Sequence, residues 1–249
     1  RLGVERLRLR LADVTSSDIE AFLQHLMHEK GNSKRSAKRR LAALRSFFGY
    51  VCQAQSTIDK TVYNPTASVV PPKSTEPLPT PLTVQESKHL LRAVRAHGAH
   101  PTRDYAMMRL FLHCGARLSE VLTLNLEHID LQQRLVRLDA HGDRDRLVPL
   151  SKETAYALAA YLAERPTVPS PRVFINRNLR PMTKGAVYHV IDKCASAAAL
   201  PKRVTVGTMR HTCFTLLAMI GFTVEELQQL AGLRRPHTPR IYHRLAASI

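Results

Sequence analysis

The sequence predicts a mainly α-helical protein with one small β-hairpin, arranged as two helical parts joined by an extended linker. Three observations carry that expectation. Apolar residues recur at helical spacing behind capping signals, once after Thr15 and again after Thr83. Six prolines fall between residues 64 and 81, where neither a helix nor a central strand can form. Apolar and polar residues alternate on both sides of the stretch AHGD at residues 140–143, which is the pattern of a hairpin.

The elements follow in order. In VTSSDIEAFLQHLMHEKG, Thr15 or Ser16 caps a helix whose apolar positions are Ile19, Phe22, Leu23 and Leu26, and Gly31 stops it. In the next stretch Leu41, Leu44, Phe47, Phe48 and Val51 keep helical spacing. Residues 31 to 45 hold six cations, Lys34, Arg35, Lys38, Arg39, Arg40 and Arg45, and no acid. A solvated helix face usually mixes charge signs, so a one-sign cluster points to phosphate contact. The prolines of 64–81 then form an extended linker, and Thr83 with Glu86 opens a new helix through a capping box. A buried helix, a turn at Gly115 and a second helix follow in DYAMMRLFLHCGARLSEVLTLNL, and after them the hairpin and the amphipathic helix SKETAYALAAYLAER. The remainder, from Met182, reads as mainly helical, broken at Pro201 and Gly221.

Composition bounds the function. The 249 residues, 44% hydrophobic, can bury a full core, and 37 Lys plus Arg against 20 Asp plus Glu leave a formal charge of +17. That excess calls for a polyanion, either nucleic acid or an anionic membrane surface. No apolar run approaches the ~20 residues of a membrane span, and no cleavable signal pattern is visible at the first residues. Cys52, Cys114, Cys194 and Cys213 are dispersed, with no CxxC pair and no zinc spacing. They read as reduced thiols in apolar segments of a cytoplasmic protein, whose default partner is then nucleic acid rather than a membrane. No metal or nucleotide motif appears, so no cofactor is expected.

Three further stretches carry chemistry: HCGARLSEVLTLNLEHIDL, VGTMRHTCFTLLAMIG and LAGLRRPHTPRIYHRL. In this order, with a hairpin between the first two, the chain resembles the tyrosine recombinases of the phage integrase and Xer type. The resemblance implies a helical, SAM-like core-binding domain at residues 1–70, a linker at 71–81 and a catalytic domain at 82–249, closing around DNA as a C-shaped clamp. It assigns the two catalytic arginines to Arg117 and Arg210, the acid supporting the first to Glu120, and the nucleophile to Tyr242. The chemistry gives these residues reasons. A phosphodiester is anionic and resists nucleophiles. Two planar guanidiniums on its non-bridging oxygens neutralise that charge in the transition state. The tyrosine then keeps the bond energy in a 3′-phosphotyrosyl link, so a second strand can be joined without ATP or metal. Family members act as tetramers on two duplexes, so a homo- or hetero-tetramer on nucleoid DNA is implied. Seven residues follow Tyr242, which leaves the mode of assembly open.

The sequence departs from the family at three of the six usual active-site positions. The catalytic Lys of the hairpin falls on His141. The His of the usual His-x-x-Arg falls on Gly207, and the His or Trp of the last box falls on Leu233. Two readings follow. The enzyme is active with substitutes, His141 acting as general acid with its ordinary pKa of ~6.5 and Arg144 assisting electrostatically, while His211, His237 and His243 are the histidines near the vacated positions. Alternatively, the chain is a catalytically weak or inactive homologue that binds DNA as an accessory subunit. A topoisomerase of type IB is a third class, and the Xer-like first domain argues against it.

Overall fold

The structure, a computed structural model, describes residues 10–55, 63–73, 79–139, 145–233 and 239–247. It separates into two compact units, Arg1–Pro77 and Leu78–Ile249.

In the first unit, helices α1 (Ser16–His28) and α2 (Lys34–Gln55) pack together over Ile19, Leu23, Ala37, Leu41 and Phe48. Thr15 is the N-cap of α1: its hydroxyl accepts from the Asp18 backbone and Asp18 returns the bond, which satisfies two otherwise orphaned donors. Helical spacing selected the right faces but overstated their width, because Phe22 and Phe47 are 39% and 48% exposed. The segment expected to be extended from residue 64 is instead folded onto this unit as far as Val69. Asn64 accepts from both the backbone and the hydroxyl of Thr66, and Val69 is buried in the core. The Arg45 guanidinium donates to the Val69 carbonyl at 2.6 Å.

In the second unit, α3 (Val84–His97) starts at Thr83 with the expected Glu86 capping box. Helix α4 (Pro101–His113) is buried around most of its circumference and packs against α3, α6 (Lys152–Glu164) and α8 (Val206–Met219). Between α4 and α6 lie the short helix α5 (Leu118–Thr123) and a three-stranded antiparallel sheet in the order β1 (Ile129–Asp130), β2 (Leu135–Leu138), β3 (Arg146–Pro149). The hairpin was legible from alternation. The two-residue β1 was not, being too short to alternate. Leu138 pairs with Arg146 at the innermost register position. Helices α7 (Lys184–Ala197), α9 (Val224–Ala231) and α10 (Arg240–Ala246) complete the unit. The second unit holds two apolar clusters. The larger is centred on α4. The smaller joins Cys213, Phe214 and Ala218 of α8, Leu227 and Ala231 of α9, and Tyr242 and Leu245 of α10.

The turn after α4 couples the two clusters. Gly115 has φ +58°, and a Cβ there would lie 2.6 Å from the Phe214 ring. Gly115→Ala therefore adds left-handed strain and overpacking. We expect it to destabilise the fold by at least roughly 2 kcal/mol, read as a lower urea midpoint at unchanged slope.

Candidate active site

Arg117 occupies the N-cap of α5, in extended conformation. Its backbone N–H donates to Glu120 Oε2 at 2.7 Å and its Nη1 to Oε1 at 2.5 Å, so one carboxylate holds both ends of the residue. Arg146, the first residue of β3, reaches the same carboxylate from the other side, with Nη1 to Oε1 at 2.8 Å and Nη2 to Oε2 at 3.1 Å. Burial alone would raise the Glu120 carboxyl. The hydrogen bonds and charge of Arg146, followed by the bonds from Arg117, overcome it and hold the group down to about 2.

The other face of the cluster is the carbonyl end of α9. Arg146 Nε donates to Leu230 O at 2.7 Å, and Arg117 Nη2 donates to Ala231 O and Gly232 O, both at 2.8 Å. Arg210, on the first turns of α8, donates to Ala231 O and to Gly115 O. A helix end offers such carbonyls because they have no partner within the helix, and the macrodipole makes them attractive to cations. Gly232, at φ +56°, turns the chain here, with its own N–H and that of Leu233 returned to the last turn of α9.

Among the described residues, Glu120 is the one carboxylate hydrogen-bonded in this cluster, to Arg117 and Arg146, and Arg210 bonds to carbonyls alone, so three guanidiniums face one described carboxylate. Burial, and then the nearby charge of Arg117, lower Arg210 to about 10, which still leaves it cationic at neutral pH. A half-buried excess of fixed guanidiniums is an anion site in waiting.

Tyr242 lies beside it. Arg210 stacks over the Phe214 ring at 4.8 Å, and Phe214 packs against the Tyr242 ring at 5.3 Å. The phenol is 3% exposed. Burial raises it above its ordinary value, while Arg210 pulls in the opposite direction, so it rests neutral. His211 also packs against it, ring to ring at 5.8 Å. Burial and Arg210 lower His211, and its Nδ1 has no hydrogen-bond partner among the described residues, nor does His243 Nε2.

The structure thus brings Arg117, Glu120, Arg210 and Tyr242 to one place. His141, Arg144 and His237 lie outside the described residues. Gly207, at the start of α8, is exposed, and Leu233 packs onto the Tyr242 cluster. Lys34, Arg35, Lys38, Arg39 and Arg40 are exposed along α2, whereas the Arg45 guanidinium is engaged on Val69. Sequence reasoning missed Arg146. The signal that could have found it is strand alternation, which puts it on the same face as the buried Val148.

The Phage integrase family profile matches residues 81–248, and the profile of its N-terminal SAM-like domain matches residues 5–55. The chain belongs to the phage integrase family. Its relatives are tyrosine recombinases, as the three sequence boxes implied. It is 30% identical to tyrosine recombinase XerC of Caldanaerobacter subterraneus over 93% of this chain and 65% of that one, and 32% identical to XerD of Proteus mirabilis over 96% and 77%. The fold matches that of the XerH recombinase bound to a palindromic difH substrate, with a TM-score of 0.79 at 20% identity over 96% of this chain and 71% of the other. Among the described residues no helix is long and apolar enough to cross a membrane.

The depressed Glu120 carboxyl has a consequence for this integrase-family chain. A carboxylate lowered on folding stabilises the protein above its unfolded value of 4.5, and that stability is lost as pH falls towards about 2. We expect roughly 3 kcal/mol to disappear across this window. In urea titrations at pH 5, 4 and 3, Glu120→Gln should flatten the loss.

Proposed function

We propose that the chain cuts and rejoins double-stranded DNA at a specific site through a 3′-phosphotyrosyl intermediate on Tyr242. One observation carries this reading: two cationic guanidiniums, Arg117 and Arg210, share the Ala231 carbonyl beside the tyrosine cluster, with no carboxylate bonded to Arg210 among the described residues. In the reaction the two guanidiniums hold the non-bridging oxygens. The Tyr242 oxygen bonds to phosphorus as its proton passes to solvent water, and the bond from phosphorus to the 5′ oxygen breaks. The leaving oxygen takes a proton, for which His141 is the candidate donor, with Arg144 supplying further positive charge. Rejoining runs the same steps backwards from a second strand.

The basic side of α2, carrying Lys34, Arg35, Lys38 and Arg39, with Arg40 flanking it, provides contacts to the DNA backbone. The domain limits 1–70, 71–81 and 82–249 belong to this reading, as do assembly into a homo- or hetero-tetramer on DNA and a place at the nucleoid. The XerH neighbour, whose solved structure holds its DNA site, supports the DNA-binding part. Gly207 and Leu233 favour a second reading, a DNA-binding accessory subunit with little cleavage, because the side chains usual at those positions are absent.

A nicked suicide substrate carrying DNA from beside the gene separates the two. We expect a covalent band on a denaturing gel from the native protein and none from Tyr242→Phe. Binding that weakens steeply with salt, and no adduct between pH 6 and 9, would establish the accessory role. Gly207 has room for a side chain, since an added Cβ meets nothing within 4 Å but the Thr205 hydroxyl, at 3.4 Å. Gly207→His should therefore be tolerated. It should raise the rate of adduct formation by up to about 10²-fold if a missing acid–base partner limits it.

A further inference from the structure

We propose that Arg146 is a positioning residue for phosphate binding, acting through Glu120 on Arg117. This rests on the phosphoryl-transfer reading of the site and adds a residue that none of the three sequence boxes contains. The side chain is 7% exposed, against 20% for Arg117, and among the described residues its three nitrogens bond to two partners: a forked pair of bonds to Glu120 and a bond to Leu230 O. Arg117 and Arg210 bond to protein through Nη atoms alone among the described residues, whereas Arg146 is nearly buried with Nε and both Nη atoms turned to protein, so it is not placed to hold the substrate itself. Its effect runs through what it holds.

The consequence lies in how Glu120 divides its charge. Its Oε1 accepts from Arg117 Nη1 and from Arg146 Nη1. With both arginines present, the carboxylate is shared, and the Arg117 guanidinium keeps positive charge to offer an incoming phosphate. Without Arg146 the whole carboxylate falls to Arg117, which is then neutralised where it should be cationic and is drawn towards α5. The second bond matters independently. Arg146 begins β3, and its link to Leu230 O ties the hairpin to the end of α9, where the Ala231 and Gly232 carbonyls seat Arg117 and Arg210. One guanidinium thus sets the charge of the first clamp arginine and the place of its seat. The task requires the planar fork: lysine can supply the charge at one point but not bridge two carboxylate oxygens and a carbonyl together.

The test uses inorganic phosphate as probe, so that it does not depend on a DNA target. The full chain is labelled with 15N. The side-chain Nε–H signals of Arg117 and Arg210 are identified from Arg117→Lys and Arg210→Lys, and phosphate is titrated against the native protein, R146K, R146Q, E120Q and the E120Q/R146Q pair, each checked for a cooperative melt. R146Q should weaken phosphate binding by about tenfold or more. R146K should fall between R146Q and native protein. In the E120Q background R146Q should add under about threefold, because the path through the carboxylate is already cut. Native affinity in R146K or in folded R146Q would overturn the proposal, as would an undiminished R146Q effect on top of E120Q. If R146Q does not fold, R146K decides alone, with a loss of at least about threefold expected. Absence of a covalent DNA adduct from the native protein would count against the recombinase reading and leave the phosphate result to decide Arg146.

Discussion

The site depends on the unpaired carbonyls at the end of α9. Leu230, Ala231 and Gly232 present them because the helix stops there and Gly232 turns left-handed, and three guanidiniums from three separate elements converge on them. Arg117 comes from the start of α5, Arg146 from β3 and Arg210 from α8. Like charges brought so close would repel. Glu120 and the negative end of the helix offset part of that cost, and the part left over is what makes the cluster an anion site. The same helix end leads within ten residues of sequence to Tyr242, so the seat of the guanidiniums and the tyrosine belong to neighbouring stretches of the chain.

The rest of the fold serves that convergence. Helix α4 is buried nearly all round and sets the Gly115 turn, whose carbonyl is the second partner of Arg210. The glycine is required there because the Phe214 ring occupies the space a Cβ would need. Phe214 in turn separates Arg210 from Tyr242, touching both. Position 115 therefore meets the guanidinium through its own carbonyl and, through the Phe214 ring, both the guanidinium and the phenol.

Much of this was legible in the sequence, for local reasons. The capping boxes at Thr15 and Thr83 are written in four residues each, and the hairpin shows in its alternation. Arg117, Glu120, Arg210 and Tyr242 stood in boxes whose order identified the family. What could not be read was non-local. Arg146 meets Leu230 across 84 residues of sequence, and its carbonyl partner has no residue-type signature. Phe22 and Phe47 have helical spacing, yet periodicity reports a face and not whether anything covers it. Residues 64–70 look like linker because of their proline and polar content, and only the gap filled by Val69 against α2 reveals them as part of the first core.

Helix α10 is seven residues long, far below the length at which a helix holds its shape unaided in water. Its two buried side chains are Leu245 and Tyr242 itself. The proposed nucleophile is thus also the peg that fastens the segment carrying it. Cutting the side chain back to a methyl group would unfasten the helix as well as remove the hydroxyl, and the lost activity would report two events at once. Deleting the oxygen alone leaves the peg in place.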